Sequence, residues 1–181
     1  MKKQHIFNLS LSGLFLAMAL LLPFLTGQIP QIGNMLLPMH IPVLLCGIIC
    51  GPYWGALVGV IAPFLRFAIF GMPQMPTTFT MTFELLTYGL VIGLVYSKLP
   101  KNIVSIFISL FSAMIAGRIV WAVASMLIYK IMGLNAFTFA QFISGGFITA
   151  VPGIIVQLVL IPTIVIALKR AKVIPSDKIT A

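Results

Sequence analysis

Apolar residues occupy most of the chain in long runs, which short polar or proline-rich segments separate. A hydrocarbon core about 30 Å thick requires about 20 helical residues at about 1.5 Å each. Six runs approach or exceed that length and predict an all-α membrane protein with six transmembrane helices. We place these helices at about residues 5–25, 36–50, 53–70, 77–97, 103–131 and 142–168, in a single domain over residues 1–181.

Glycine and proline mark breaks between or within these runs. The pair at residues 51–52 separates the second run from the third, and the two prolines of residues 71–76 cannot continue a helix. Pro152, Gly153 and Pro162 predict kinks in the sixth helix, after which residues 169–181 form a polar tail.

Composition agrees with a membrane environment. Hydrophobic residues make up 61% of the chain and charged residues 7%, with a mean hydropathy of +1.18, whereas soluble domains carry about 25% charged residues. The net charge of +9 does not indicate nucleic-acid binding, because the basic residues are scattered between apolar runs and line no polar face. The two cysteines lie in an apolar stretch and predict neither a disulfide framework nor a metal site.

The basic residues predict the orientation of the chain. If the N-terminus is cytoplasmic, Lys130 is the only lysine or arginine of a connecting segment on the outer side. Both termini and the tail at 169–181 are therefore expected in the cytoplasm, and the segments 26–37, 71–76 and 132–141 outside. The eight basic residues on the cytoplasmic side are Lys2, Lys3, Lys98, Lys101, Lys169, Arg170, Lys172 and Lys178.

Three charges remain inside predicted helices: Arg66, Glu84 and Arg118. Ionisable residues in a bilayer are costly and mark a functional site. Their positions place all three at similar depth, so they could converge in a pocket where Glu84 neutralises one arginine and leaves a net charge near +1. In the alternative, Arg66 pairs with Glu84 as internal support while Arg118 reaches a backbone carbonyl or a headgroup.

Polar and aromatic residues share helix faces with these charges. Tyr88 lies one turn after Glu84, Trp121 lies about one turn after Arg118, and Gln157 adds an amide to the sixth helix. A partly apolar cavity with a few convergent polar groups is what a small-molecule site requires. The outward segments contribute further polar residues, namely Gln28, Gln31, Asn34, His40, Gln74 and Thr77. The predicted substrate-binding residues are Arg66, Glu84, Tyr88, Arg118, Trp121, Gln157, Asn34 and His40.

Small residues recur at a spacing of four, which allows helix backbones to approach closely in lipid. On the fourth helix, Gly89 and Gly93 indicate packing within the chain. On the first helix, Gly13, Ala17 and Leu20 form one face of an otherwise featureless apolar rod. That face predicts docking on another membrane subunit.

Motifs for chemistry are missing from the sequence. It has no P-loop, no dinucleotide-binding glycine fingerprint, and no residue set for an intramembrane protease. We therefore expect no enzyme activity, no cofactor and no bound metal. A transporter or transporter subunit, energised from elsewhere, is the class that remains.

Three stretches resemble the substrate-binding S components of energy-coupling factor (ECF) vitamin transporters, and most closely the pantothenate type: residues 28–47 (QIPQIGNMLLPMHIPVLLCG), 51–59 (GPYWGALVG) and 83–89 (FELLTYG). The resemblance implies the six-helix S-component fold, a bacterial plasma membrane location and a vitamin site near the outer face. It also implies partnership with a transmembrane coupling subunit and two ATPases. The Gly13 and Ala17 face resembles the family's motif for the coupling subunit, with glycine where alanine is common.

Pantothenate is a small anion, and an arginine can bind its carboxylate through two parallel hydrogen bonds. We expect Arg118 or Arg66 to bind it, Glu84 to hold the other arginine or accept from a hydroxyl, and Trp121 and Tyr88 to flank its apolar middle. Three alternatives remain: an S component for another vitamin or precursor such as hydroxymethylpyrimidine, a stand-alone proton-coupled carrier that uses Glu84, and a structural subunit.

Overall fold

The computed structural model of the chain describes residues 2–26, 29–134 and 137–171, without the side chains of residues 2, 3, 26, 30 and 34. The described ranges are helical and contain no strand. The α-helices are α1 (Lys2–Leu21), α2 (Pro30–Leu36), α3 (His40–Ile49), α4 (Pro52–Phe70), α5 (Thr77–Lys98), α6 (Ile103–Ile131), α7 (Phe139–Ile143) and α8 (Val151–Arg170). A 3-10 turn (Leu22–Thr26) extends α1, and a π turn (Ser144–Ile148) follows α7.

Five helical segments of the described chain are long and apolar enough to cross a membrane. They are Gln4–Leu25, Pro52–Phe70, Thr77–Lys98, Ile103–Ile131 and Val151–Arg170. They correspond to five of the six predicted helices, so the multi-pass architecture is confirmed while the sixth span is not.

The predicted second helix, at 36–50, is present only as the shorter α3, and α2 lies almost entirely in the segment 26–37 that was predicted as an outward connection. Leu37 adopts the left-handed conformation with φ of 51° and ends α2, and Pro38 follows directly. The ten residues of α3 extend only about 15 Å, half of a hydrocarbon core. Every one of them is buried, because α1, α4, α5 and α8 pack around the helix.

The predicted sixth helix, at 142–168, is divided. Helix α7 begins at the capping box of Thr138 and Gln141, and the chain turns at residues 149–150 before α8 begins. Pro152 lies in the first turn of α8, where a proline costs no hydrogen bond. The expected kink at Pro152 is therefore a helix start, whereas Pro162 does lie inside α8.

Helices α4 and α5 pack with their backbones nearly touching. A Cβ added to Gly89 would lie 2.3 Å from the carbonyl of Gly55, and one added to Gly59 would lie 2.4 Å from the carbonyl oxygen of Leu85. A Cβ added to Gly93 would lie 2.5 Å from the Cα atom of Pro52. The glycine spacing thus serves packing within the chain, as predicted for the fourth span.

The first helix shows the opposite situation. Gly13 and Ala17 are exposed, and a Cβ added to Gly13 would meet no described atom within 4 Å. Gly13 and Ala17 therefore make little contact inside the chain, whereas Leu20 is half-buried. Docking through Gly13, Ala17 and Leu20 stays a prediction.

Basic residues collect at one end of the bundle, which we call the lysine-rich end: Lys98, Lys101, Lys169 and Arg170. Lys169 donates to the Lys101 carbonyl at 3.1 Å, which joins the end of α8 to the connection between α5 and α6. Lys130 lies in the last turn of α6, at what we call the opposite end. The assignment of the lysine-rich end to the cytoplasm stays a prediction, and Lys172 and Lys178 lie outside the described residues.

We expect Gly89→Ala to destabilise the protein by at least about 1–3 kcal/mol, since the added methyl group forces α4 and α5 apart. Thermal unfolding in a neutral detergent measures the change. Gly13→Ala is the matched control, because it places the same methyl group in open space on a helix and should leave stability unchanged or slightly raised. Equal losses for the two variants would contradict the packing described.

Candidate functional site

A buried ion pair joins α5 to α6 inside the bundle. The Glu84 Oε1 atom lies 2.9 Å from Nη1 of Arg118 and 3.6 Å from Nε2 of His40. The three residues are 2%, 5% and 1% exposed, respectively. Because His40 is the first residue of α3, the centre brings together three helices.

Local packing explains why these side chains meet. Tyr88, one turn after Glu84 on α5, is buried, and its ring packs edge-on to His40 with 5.2 Å between centroids. Gly117 lets α6 approach that ring, since a Cβ there would lie 2.8 Å from Tyr88. The next residue along α6 is Arg118. The close approach at Gly117 therefore places the Arg118 guanidinium beside Glu84.

Arg66 takes no part in this centre. Its Nη1 donates to the Leu20 carbonyl at 2.8 Å, and its guanidinium lies 5.6 Å from the Phe24 ring and 5.4 Å from the Phe70 ring. The last carbonyls of a helix lack partners and carry the negative end of its dipole, so the end of α1 favours a cation. Arg66 forms no ion pair with Glu84 in the described structure, so the three charges do not converge in one ion-paired cluster.

The charge of the centre changes accordingly. Glu84 is the only carboxylate among the described residues, and Arg118 compensates it directly. The pair is neutral as a whole, instead of carrying the expected charge near +1. In the alternative prediction, Arg66 paired with Glu84 and Arg118 reached a backbone carbonyl or a headgroup. The structure shows the two arginines in exchanged roles, with Arg118 on Glu84 and Arg66 on the Leu20 carbonyl.

Several buried polar atoms on Arg118, His40 and α8 find no hydrogen-bond partner among the described residues. They are Nη2 of Arg118, both ring nitrogens of His40 and Nε2 of Gln157, whereas Oε1 of Glu84 is compensated by Nη1 of Arg118 at 2.9 Å. Each unsatisfied buried group costs about 1–3 kcal/mol, so a native structure rarely keeps several without a reason. A bound polar molecule would satisfy such donors.

Gln157 lies on the buried stripe of α8 that also contains Gly153 and Ile161. Gly153 packs against the end of α2, where an added Cβ would lie 2.6 Å from the Met35 carbonyl oxygen. Helices α3 and α8 are neighbours, and both run toward the lysine-rich end. Gln157 lies one turn beyond Gly153 on this stripe, toward the lysine-rich end.

An aromatic wall borders Arg118 on the side of the opposite end. The Cζ atom of Arg118 lies 6.0 Å from the centroid of the Trp121 ring. That ring stacks on Phe142 with 6.4 Å between centroids and meets Phe137 edge-on with 5.3 Å between centroids. The π turn closes over this region, since a Cβ on Gly146 would lie 3.4 Å from Trp121 and 3.8 Å from Cδ of Arg118. The wall gives the polar centre an apolar neighbour of the kind that small-molecule sites contain.

The predicted set is therefore partly assembled. His40, Glu84, Tyr88 and Arg118 meet, Trp121 adjoins Arg118, and Gln157 is buried on α8. The side chain of Asn34 and all of Gln28 lie outside the described residues, and Gln31, Gln74 and Thr77 are exposed. The role of each residue in binding stays a prediction.

Phe137 and Phe142 were not among the predicted residues. Their only signal was a concentration of phenylalanine beside the pair Gly145 and Gly146, in a stretch where aromatic residues also suit a lipid-facing span.

A helical bundle with several candidate spans around a buried polar centre is typical of a membrane transport protein that holds a small molecule. Residues 7–166 match the model of the family described as ECF transporter, substrate-specific component. The chain belongs to this family. Comparison with curated proteins and with solved structures gives no significant match.

Membership defines the chain as a membrane-embedded, substrate-specific subunit of an ECF transporter and not an enzyme in its own right. It also implies that the chain works with the transmembrane coupling subunit, called the T subunit, and with the ATPase subunits of such a transporter.

Breaking the buried pair should be strongly destabilising. Glu84→Gln or Arg118→Met alone leaves one charge buried without its partner and should lower stability by about 3–5 kcal/mol. The double variant should lose less than the sum of the singles, with a coupling of about 0.5–3 kcal/mol. Thermal or denaturant unfolding of the four proteins in one detergent measures this cycle, and strictly additive losses would contradict a direct pair.

Proposed function

We propose that this subunit captures a water-soluble vitamin at the opposite end of the bundle, with pantothenate as the first candidate. A coupling subunit and two ATPases then drive delivery to the cytoplasm, from a bacterial cell membrane with both termini inside. The observation that carries the proposal is the neutral Glu84–Arg118 pair, whose Nη2 atom is buried and unpartnered among the described residues.

The contacts favour Arg118 over Arg66 as the residue that binds a carboxylate. Arg66 is already held between the Leu20 carbonyl and two phenylalanine rings. Glu84 occupies Nη1 of Arg118 and leaves Nη2 as a donor in a fixed position. A preorganised guanidinium loses little freedom when it binds an anion, which favours affinity.

Other donors of the centre suit the rest of such a molecule. Gln157 Nε2 and one ring nitrogen of His40 can donate to an amide carbonyl or a hydroxyl. Trp121 and Tyr88 supply apolar faces beside them. Asn34 stays a candidate on the segment before α3.

In the proposed transporter, this subunit binds the vitamin, and the ATPase subunits supply the energy for transport. We propose that the face of Gly13, Ala17 and Leu20, which is exposed at Gly13 and Ala17, meets the coupling subunit, since small residues allow a partner helix to approach closely. A stand-alone proton-coupled carrier has less support, because Glu84 is ion-paired with Arg118 and the family works with ATPases.

A neutral vitamin precursor such as hydroxymethylpyrimidine is the second candidate. It is favoured by the charge compensation at the centre, because an anion bound to Arg118 must also approach Glu84. Donors on Arg118 and Gln157 could serve ring nitrogens and a hydroxyl equally well.

The test compares the two ligands on purified protein by thermal shift and calorimetry. Pantothenate should raise the unfolding temperature, and Arg118→Ala should weaken its binding about 10- to 150-fold, as expected for a lost hydrogen bond to a charged group. Arg66→Ala is the matched control, since it removes the same side chain away from the centre and should keep the affinity.

Uptake of labelled pantothenate into vesicles with the coupling module and ATP completes the test. Binding of hydroxymethylpyrimidine without any response to pantothenate would move the assignment to the second candidate. Full affinity in Arg118→Ala would contradict the role of Arg118 for either ligand.

Gln157→Met separates binding from folding. The change keeps the side-chain volume but removes a buried unpartnered donor, so the ligand-free protein should become more stable by about 1–3 kcal/mol while vitamin binding weakens. Unfolding and binding measured on the same samples decide this. A variant that loses stability and keeps its affinity would show that the amide supports the fold instead.

A further inference from the structure

A second polar cluster lies at the lysine-rich end, away from the Glu84–Arg118 pair. The Nζ atoms of Lys101 and Lys169 lie 4.5 Å and 5.7 Å from the centroid of the Tyr96 ring. Lys101 donates to the Tyr96 carbonyl at 2.7 Å, and Lys169 donates to the Tyr96 hydroxyl at 3.0 Å. Tyr96 is 1% exposed, so two ammonium groups converge on one buried ring.

The acceptors in this cluster are all neutral. Lys169 has a second bond to the Lys101 carbonyl at 3.1 Å, and each ammonium has three donors in total. These hydrogen bonds use one donor of Lys101 and two of Lys169, so donors remain on both ammonium groups. Within the part of the chain that the structure describes, the one carboxylate, Glu84, is held by Arg118, so no carboxylate compensates the two charges.

Electrostatics at this position favour an anion. Burial, and secondarily the neighbouring ammonium of Lys169, lower the pKa of Lys101. Lys98 and Arg170 add positive charge nearby in the last turns of α5 and α8. A bound anion would relieve the repulsion between the lysines and use their remaining donors.

The position indicates which anion is available. Tyr96 and Lys169 lie in the last turns of two candidate spans, Thr77–Lys98 and Val151–Arg170. Tyrosine and lysine at the ends of spans lie at the level of the lipid headgroups. Basic pockets between transmembrane helices at this level bind anionic headgroups.

We propose that Lys101 and Lys169, which Tyr96 holds together, form a binding site for the phosphate of an anionic phospholipid, with Lys98 and Arg170 contributing charge. The site is separate from the vitamin site and does not depend on the proposed substrate. By holding the end of α8 to the end of α5 through one anion, the lipid stabilises the bundle.

The experiment measures the unfolding temperature of the full-length chain in neutral detergent with added phosphatidylglycerol or phosphatidylcholine. Phosphatidylglycerol should raise it by about 4–8 °C and phosphatidylcholine much less, as expected for two lysines that contact an anionic headgroup. Lys101→Gln/Lys169→Gln keeps hydrogen-bond donors but removes both charges, and it should abolish the difference between the two lipids. Lys130→Gln, at the opposite end, is the matched control and should keep it.

Two further arms identify the source of the anion. Inorganic phosphate at the same concentration should give no comparable shift, and an equal shift would overturn the assignment to lipid. Lys101→Arg/Lys169→Arg preserves the charges and should keep the lipid difference. If the double glutamine variant does not fold, the single variant Lys169→Gln replaces it and should lose at least half of the difference.

The proposal is overturned if the neutralised variant responds to phosphatidylglycerol as the wild type does. It is equally overturned if Lys130→Gln loses the response to the same extent, since general charge attraction would then explain it. Native mass spectrometry gives an independent count, with phosphatidylglycerol retained on the wild-type chain and lost from the neutralised variant.

Discussion

A single carboxylate buried in an apolar bundle constrains much of this structure. An isolated ionised group in a medium of low dielectric constant is so unfavourable that it must find a partner with good geometry. Glu84 has that partner in Arg118 at 2.9 Å, with His40 at 3.6 Å. The requirement sets the rotation of α5 against α6 and places the start of α3 beside both, so the same pair that must be satisfied for folding also builds the candidate binding centre.

Glycine allows the helices around the pair to pack closely. Gly117 admits the Tyr88 ring, while Gly55 and Gly89 bring α4 against α5. Helix α3, although too short to span a bilayer, fills the middle of the bundle as a fully buried element. The polar chemistry is then divided between the two ends: a neutral pair with unpartnered donors and an aromatic wall toward one end, and two lysines against Tyr96 at the other.

Much of the fold could be predicted from hydropathy, and the failures have a common cause. Helices α5 and α6 lie close to their predicted bounds, because long apolar runs between proline-rich breaks allow few other structures. The second predicted helix was too long, and the sixth was wrong in its continuity. A short helix enclosed by protein has the same composition as part of a membrane span, so the run at 36–50 could not reveal that α3 has only ten residues, nor the run at 142–168 the turn before Val151. In a sequence, a proline at a helix start cannot be distinguished from a proline at a kink. For this reason Pro152 was wrongly predicted to kink a helix that in fact begins there.

The sequence by itself determined that this protein lies in a membrane and that most of its long helices can span it. It also determined which few polar and charged residues lie within those helices. Only the tertiary structure decided which of those residues meet. An apolar helix in lipid has no polar face to orient it, so depth along the axis can be read from the sequence, while rotation about the axis depends on contacts with neighbouring helices. Arg66 and Arg118 are the same residue type at similar predicted depth. Packing directs Arg66 to the carbonyl of Leu20 and Arg118 to Glu84, and the positive charge expected in excess at the site is therefore absent from the pair.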